Sequence, residues 1–277
     1  MTTTPTRPAR SADPARDQAD GGVAPLVRLR DVSKVYANGT VALAGATFTV
    51  RAGEFVSLVG PSGCGKSTIL RIVSGLGAPS NGDVEVEGLP PARARRQRQN
   101  MAYVFQDATL LPWATVGGNV ELPLKLRGVG RAERQSIARE ALETVGLSQV
   151  TGMYPRELSG GMRMRVSIAR ALAAKPTLLL MDEPFGALDE ITRQRLNDEL
   201  LRICALAGWT VLFVTHNVVE AVFLSTRVVV MSNRPGRIVA DVPIELPGER
   251  TRDMRTASAF NAHVGRISHL LQEAEAE

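Results

Sequence analysis

Nine consecutive residues carry most of the chemistry in this 277-residue chain: Gly60-Pro61-Ser62-Gly63-Cys64-Gly65-Lys66-Ser67-Thr68. Gly60, Gly63 and Gly65 free the backbone to curl, so that its N–H groups can turn inward on an anion. Lys66 would place a point charge at the β- and γ-phosphates of a nucleotide, and Ser67 a hydroxyl ligand for Mg²⁺. The whole spacing reads as a phosphate-binding P-loop. A second constellation, Asp182-Glu183-Pro184, closes an apolar run. Two carboxylates there are costly unless they serve a cation or a reaction. Asp182 suits a Mg²⁺ shell and Glu183 a base that orients and polarises an attacking water; an ordinary acidic turn is the competing reading. Thr215-His216-Asn217 closes another apolar run, which makes His216 a γ-phosphate contact or a structural histidine.

The elements that must position these residues follow from period and punctuation. Glu54–Val59 is a buried strand leading into the loop, and Ile69–Val73 has the spacing of a helix packed on it. The N-terminus of that helix adds donors and a favourable dipole. Thr177–Met181 and Val211–Val214 are fully apolar strands, as expected inside a parallel sheet that binds ligands at its carboxyl ends. Leu26–Leu29 and Val41–Val50 bracket a turn at Ala37-Asn38-Gly39. Tyr36, just before that turn, either stacks on an adenine or caps a hairpin. Gly82–Val86 and Met101–Phe105 are strands, the second ending at Gln106. Val116–Leu126 and Ile137–Val145 are helices of an insertion spanning about 107–176. A helix through Leu196, Leu200 and Ile203 follows, and strands at 228–231 and 238–240 complete the sheet. Residues 1–24 have no apolar period and read as a disordered tail. Within 247–277, Phe260, Val264, Ile267 and Leu271 share one helical face that packs on its own domain.

Composition narrows the class. Forty-four per cent hydrophobic and 22% charged residues are ordinary for a soluble globular protein. No window approaches the roughly 18 apolar residues of a membrane span, so service at a membrane would come through docking to other chains. The absence of a hydrophobic signal region at the N-terminus places the chain in the cytoplasm. Two cysteines, Cys64 and Cys204, are too few for a disulfide scaffold. Cys64 neighbours Lys66 and a helix N-terminus, an environment that favours thiolate, so a maleimide is expected to attack it. The net charge is +5, with 29 Arg against 4 Lys. The positive charge is scattered except at Arg93, Arg95, Arg96 and Arg98, which lack interleaved aromatics and read as a solvated loop rather than a nucleic-acid or lipid patch.

One further motif remains. Leu158-Ser159-Gly160-Gly161-Met162 precedes Arg163–Leu172. Ser159 is an N-cap, and two glycines open a helix whose amides are free for a second anion. Here the chain resembles the ABC ATPases, whose signature is Leu-Ser-Gly-Gly-Gln. The resemblance covers about 25–245. Gln106 matches the Q-loop that senses Mg²⁺, Ala187-Leu188-Asp189 the D-loop, His216 the switch histidine and Tyr36 the adenine-stacking aromatic. Two positions depart from the pattern: Met162 replaces the signature glutamine, and Asn217 stands where an acid is usual. Neither touches Lys66, Glu183 or His216, so activity is expected to survive.

The resemblance implies an α/β P-loop NTPase with a RecA-like core sheet, an N-terminal antiparallel β subdomain and a helical subdomain carrying the signature, all within 25–246. It implies ATP and Mg²⁺ as ligands. It also implies a head-to-tail homodimer in which Ser159, Gly160, Gly161 and Asp189 complete the partner copy's nucleotide site. Phe105–Asp107, Leu110–Trp113 and Asn233-Arg234-Pro235-Gly236 look like the nitrate, sulfonate and taurine importers. The function so implied is ATP hydrolysis powering uptake of a small anionic solute through separate permease subunits, on the cytoplasmic face of the membrane. An extracytoplasmic binding protein would take part indirectly. Competing classes are a non-transporting ABC ATPase signalling to a membrane partner, a nucleic-acid-linked ATPase and a guanine-nucleotide switch. A single ATPase unit without a long coiled-coil insertion argues against nucleic acid. None of Lys34, Lys66, Lys125 and Lys175 lies in an Asn-Lys-x-Asp element that would read guanine.

Overall fold

A computed structural model describes residues 24–97, 100–186, 188–246 and 250–276. The tail expected over 1–24 therefore lies, but for its last residue, outside the described residues, as do Arg98, Ala187 and 247–249. β1 (Val27–Val35) and β2 (Val41–Val50) pair antiparallel, and Gly39, at φ 80°, turns the chain between them. β3 (Phe55–Val59) is buried at every residue and runs into the glycine loop and α1 (Lys66–Val73). β4 (Asn81–Val86) returns to the free edge of β1, giving an antiparallel sheet of order β2-β1-β4. The arginine cluster expected as a loop is instead a short helix, α2 (Pro91–Gln97). Its Ala94 is buried while Arg93, Arg95 and Arg96 stay in solvent. One small apolar anchor is enough to seat a helix whose other faces remain solvated.

β5 (Met101–Val104) precedes three helices: α3 (Val116–Leu126), α4 (Arg131–Thr144) and α5 (Gly160–Ala173). Thr115 caps α3 by accepting from Gly118 N at 3.1 Å, and Ser159 caps α5 by accepting from Met162 N at 3.3 Å. Each cap satisfies an orphan amide and is worth about 1 kcal/mol. β6 (Leu178–Asp182), α6 (Glu190–Ala207), β7 (Thr210–Val214), α7 (Val218–Leu224), β8 (Arg227–Met231), β9 (Ile238–Pro243) and α8 (Ser258–Ala276) complete the chain. Asn217 caps α7 through its side chain, accepting from Glu220 N at 3.1 Å.

The second sheet has the order β5-β6-β7-β3-β8-β9, parallel except for β9 at its edge. Period-2 alternation splits its strands between two cores. Val56, Leu58, Leu180, Leu212 and Val229 face α1 and the antiparallel sheet. Phe55, Val59, Leu179, Met181, Phe213 and Val230 face α5, α7 and α8. Phe260 and Ile267 of α8 are buried in that second core, so the terminal helix packs on its own chain. Because β6, β7 and β3 are neighbours running in one direction, their carboxyl ends share one edge of the sheet.

Candidate nucleotide site

That shared edge carries the chemistry. The loop after β3 lies against two walls of backbone. A side chain added to Gly65 would meet Ala42 O at 2.7 Å, and one added to Gly60 would meet Met231 O at 2.9 Å. Gly63 (φ 75°) and Gly65 (φ 105°) are left-handed, which only glycine adopts without strain. Lys66 is 5% exposed and folds back over its own loop. Its ammonium donates to Gly60 O at 2.7 Å and Pro61 O at 2.8 Å. A buried ammonium needs such partners.

A cavity of about 350 Å³ opens on this loop. Tyr36, Ser62, Gly63, Gly65, Lys66, Ser67 and Thr68 line it, joined by Gln106, Glu183 and Arg234. Tyr36 is 40% exposed at the rim of the cavity; its hydroxyl shares a 3.1 Å hydrogen bond with Thr68 Oγ1, and the Lys34 ammonium stands over its ring, 5.5 Å from the centroid. A larger groove of about 530 Å³, lined by Ile137, Glu140, Leu172, Lys175, Arg202 and Trp209, contains no glycine loop. Phosphate chemistry therefore belongs to the smaller cavity.

At the end of β6, Asp182 is buried and accepts from Ser67 Oγ at 2.8 Å and Tyr103 Oη at 3.3 Å. Burial pushes the Asp182 carboxyl up, and the two hydroxyls pull it back. Burial, reinforced by Asp182, likewise pushes the Tyr103 phenol up. A serine hydroxyl beside a carboxylate is a pair of hard oxygen donors of the kind Mg²⁺ takes. Glu183 sits at φ 45°, a left-handed conformation unusual for a glutamate, with its N–H on Val214 O at 2.9 Å. Such strain concentrates at functional sites. Its Oε2 lies 3.1 Å from His216 Nδ1. Thr215 Oγ1, next to that histidine, donates to the buried Glu220 at 2.5 Å.

Not every expected residue joins this cavity. Gly60, Pro61 and Cys64 belong to the loop without lining the opening, Asp182 and His216 stand behind it on Ser67 and Glu183, and Cys64 is fully buried. Burial pushes its thiol up, outweighing the Lys66 ammonium 3.9 Å away. The structure speaks against the reactive thiolate expected from the positive surroundings: the thiol has no exposed surface, and desolvation outweighs the neighbouring charge. Ser159, Gly160 and Gly161 open α5 outside the cavity, with Ser159 and Gly160 exposed. Asp189 also stands apart, capping α6 by accepting from Thr192 N at 2.9 Å. Leu188 packs on Gly161, where an added Cβ would be 2.8 Å from its Cδ2. Arg170 of α5 donates to Thr109 O at 3.0 Å and Ala108 O at 3.3 Å, tying that helix to the segment after Gln106.

Four residues at the site were not expected from the sequence: Thr40 and Ala42, which line the cavity from the start of β2, and Tyr103 and Arg234. Tyr103 reaches Asp182 because β5 and β6 pair in parallel, with Tyr103 opposite Leu180. Arg234 reaches Gly63 because β8 lies beside β3. The Asn-Arg-Pro-Gly turn was visible in the sequence, but strand adjacency was not.

Comparison with known proteins agrees with this geometry. Residues 43–186 match the family described as ABC transporter. The nitrate import ATP-binding protein NrtD of Synechocystis sp. is 42% identical over 260 residues, covering 91% of this chain and 97% of that protein. The taurine import ATP-binding protein TauB of Burkholderia pseudomallei is 41% identical over 255 residues, covering 89% and 97%. Among solved structures, the ATP-binding cassette MJ0796, a dimer in a post-hydrolysis state bound to ADP and Pi, superposes with a TM-score of 0.73 at 33% identity. The match covers 79% of this chain and 99% of that one. This chain belongs to the ABC transporter family, as one of its ATP-hydrolysing subunits.

Proposed function

We propose that two copies of this chain bind MgATP head to tail and hydrolyse it to drive import of a small anion through separate permease subunits. The observation that carries this reading is a division of the chemistry. Lys66, Asp182, Glu183 and His216 converge at one sheet edge, whereas the anion-ready N-terminus of α5 at Ser159–Gly161 is exposed and outside that cavity. A second copy is then the natural owner of the site that this α5 covers. The MJ0796 cassette, itself a dimer, supports that arrangement.

In this reading backbone amides of the loop between Ser62 and Thr68 hold the phosphates. Lys66 leaves the carbonyls of Gly60 and Pro61 for the more negative phosphate oxygens. Ser67 and Asp182, with Gln106, hold Mg²⁺, which when bound screens the charge of the phosphates. Glu183 accepts a proton from the attacking water. His216, fixed by its bond to Glu183, aims at the γ-phosphate. Tyr36 stacks on the adenine. Asp189, beside the signature loop through Leu188, meets the second copy.

The solute class follows from the relatives named for nitrate and taurine import. Among the described residues no helix is long and apolar enough to cross a membrane. The relatives named as import ATP-binding proteins support a place on the cytoplasmic face through the permease, with no nucleic-acid partner. An extracytoplasmic binding protein delivers the solute and never meets this subunit. The test is to purify the chain with its permease in lipid and measure ATPase activity. Nitrate-loaded and taurine-loaded binding proteins should stimulate it selectively. Stimulation by DNA or RNA, with no response to the permease complex, would overturn the reading. On the chain alone, Ser159→Arg should abolish the ATP-dependent dimer while leaving binding at the P-loop intact.

A further inference from the structure

The phosphate loop is gripped from outside by the turn between β8 and β9. Arg234 directs Nε and Nη2 at one acceptor, Gly63 O, at 3.1 and 3.0 Å. Gly63 is at the crest of the loop in a left-handed conformation, and a Cβ there would stand 3.0 Å from Arg234 Nη2. Gly236 presses on the same loop more closely still. An added Cβ would lie 1.8 Å from Cys64 O, so no other residue fits without moving the backbone. Gly236 is itself pinned, with its N–H on Ala42 O at 3.1 Å and its carbonyl accepting from Ala44 N at 3.0 Å.

This grip continues into the C-terminal helix. Asn233 Oδ1 accepts from Arg234 N at 2.8 Å, shaping the turn. Asn233 N donates to Ala274 O, in the last turn of α8, at 3.2 Å. Ala274 is only 2% exposed, so the end of α8 is seated rather than fraying. The last carbonyls of a helix have no partner within it, and here one of them is satisfied by the turn that holds the phosphate loop. Ala274, Asn233, Arg234 and Gly63 thus form an unbroken line of contacts from the last turn of α8 to the nucleotide cavity.

We propose that Arg234 is a positioning residue for the phosphate loop, and that the seat of α8 on Asn233 sets how firmly the loop is held. The proposal rests on the reading that this cavity binds nucleotide phosphates. With Lys66 on the carbonyls of Gly60 and Pro61, the loop is closed on itself. Nucleotide entry removes that internal brace, and Arg234 keeps the Gly63 carbonyl turned outward so that the neighbouring amides face the phosphates. The contact is to backbone, so it acts on the loop whether two or three phosphates are present. A displaced α8 would loosen the turn and weaken nucleotide binding without touching the catalytic side chains.

The experiment measures Kd for ADP and ATP, and steady-state hydrolysis, on the full chain. Arg234→Ala should weaken both nucleotides about tenfold, the loss expected for a charge-assisted bond, while kcat at saturation falls less than about threefold. Arg234→Lys, which keeps one donor, should recover part of the affinity. Amide hydrogen exchange over residues 60–65 should quicken in Arg234→Ala. Ala274→Phe, which crowds the end of α8, should weaken both nucleotides in the same direction. Combined with Arg234→Ala it should add nothing further, because both act on one contact. An Arg234→Ala variant that binds both nucleotides as the parent does, with unchanged exchange, overturns the proposal. Losses that simply add in the double variant overturn the role of α8. If Arg234→Ala does not fold, Arg234→Lys and Ala274→Phe still decide by the same two readouts. A parent chain that binds neither nucleotide would instead sink the nucleotide reading itself.

Discussion

His216 Nδ1 stands 3.1 Å from Glu183 Oε2, joining the ends of β7 and β6 side chain to side chain at the mouth of the phosphate cavity. The contact holds one oxygen of a carboxylate that lines the cavity. Glu183→Gln removes the base and preserves the shape, so kcat should fall by about 10²-fold or more with ATP affinity retained. Size-exclusion chromatography with MgATP should then show a trapped dimer. His216→Ala should lower kcat by about tenfold or more with a smaller effect on ATP affinity, since its contact matters most in the transition state. Near-parent turnover in Glu183→Gln would remove that residue from the role of base.

Tyr103 occupies the Asp182 oxygen that Ser67 does not. Tyr103→Phe leaves that oxygen without its hydroxyl partner and should raise the Mg²⁺ concentration for half-maximal ATPase activity about threefold. Binding of ATP in the presence of a chelator should not change. A Mg²⁺ titration of both proteins checks this, and superimposable curves would show that Tyr103 does not hold Asp182.

Cys64 and Cys204 should both resist a maleimide reagent in the native protein. Cys64 has no exposed surface, and burial pushes the Cys204 thiol up to about 12. Mass spectrometry should find no adduct before unfolding and two per chain in guanidinium chloride. Native labelling of Cys64 that MgATP blocks would contradict its burial.

Glu220 makes stability depend on pH. Burial raises its carboxyl above the ordinary 4.5, more than its hydrogen bond from Thr215 lowers it. The folded state then holds a proton that the unfolded state has released, so stability is lost as pH rises from about 4.5 through the raised value. The Asn197 amide beside it also lowers the carboxyl, but burial still dominates. Glu220→Gln replaces the charge with an amide and should raise Tm at pH 8 relative to the parent, with little difference at pH 4. Thermal unfolding of both proteins at the two pH values measures this; an equal shift at both would point to packing instead of charge.

Much of the fold was legible because its strongest signals are local. Helix α3 at Val116–Leu126 and strand β7 at Thr210–Val214 follow from apolar period and flanking breakers. The loop at Gly60–Thr68 needs only its own residue types, since the glycines and Lys66 act within one short segment. The helix α7 was missed because its seven residues, Val218–Leu224, are too few to show a period. Its cap was nevertheless present: Asn217, which departs from the family pattern, accepts the bond from Glu220 N that an acid there would also accept.

The sequence by itself determined which groups are available: a loop of amides with a lysine, a carboxylate pair after one apolar strand, and a histidine after another. Tertiary structure alone decided which of them meet. Strand order brings Asp182 against Ser67 of the loop and His216 against Glu183, sets Tyr103 on Asp182 and lays Arg234 across Gly63, over separations of up to 171 residues. It also decided the state of Cys64. Neighbouring charge can be read along the chain, but desolvation depends on every element packed around the thiol, and here it outweighs the ammonium two residues away.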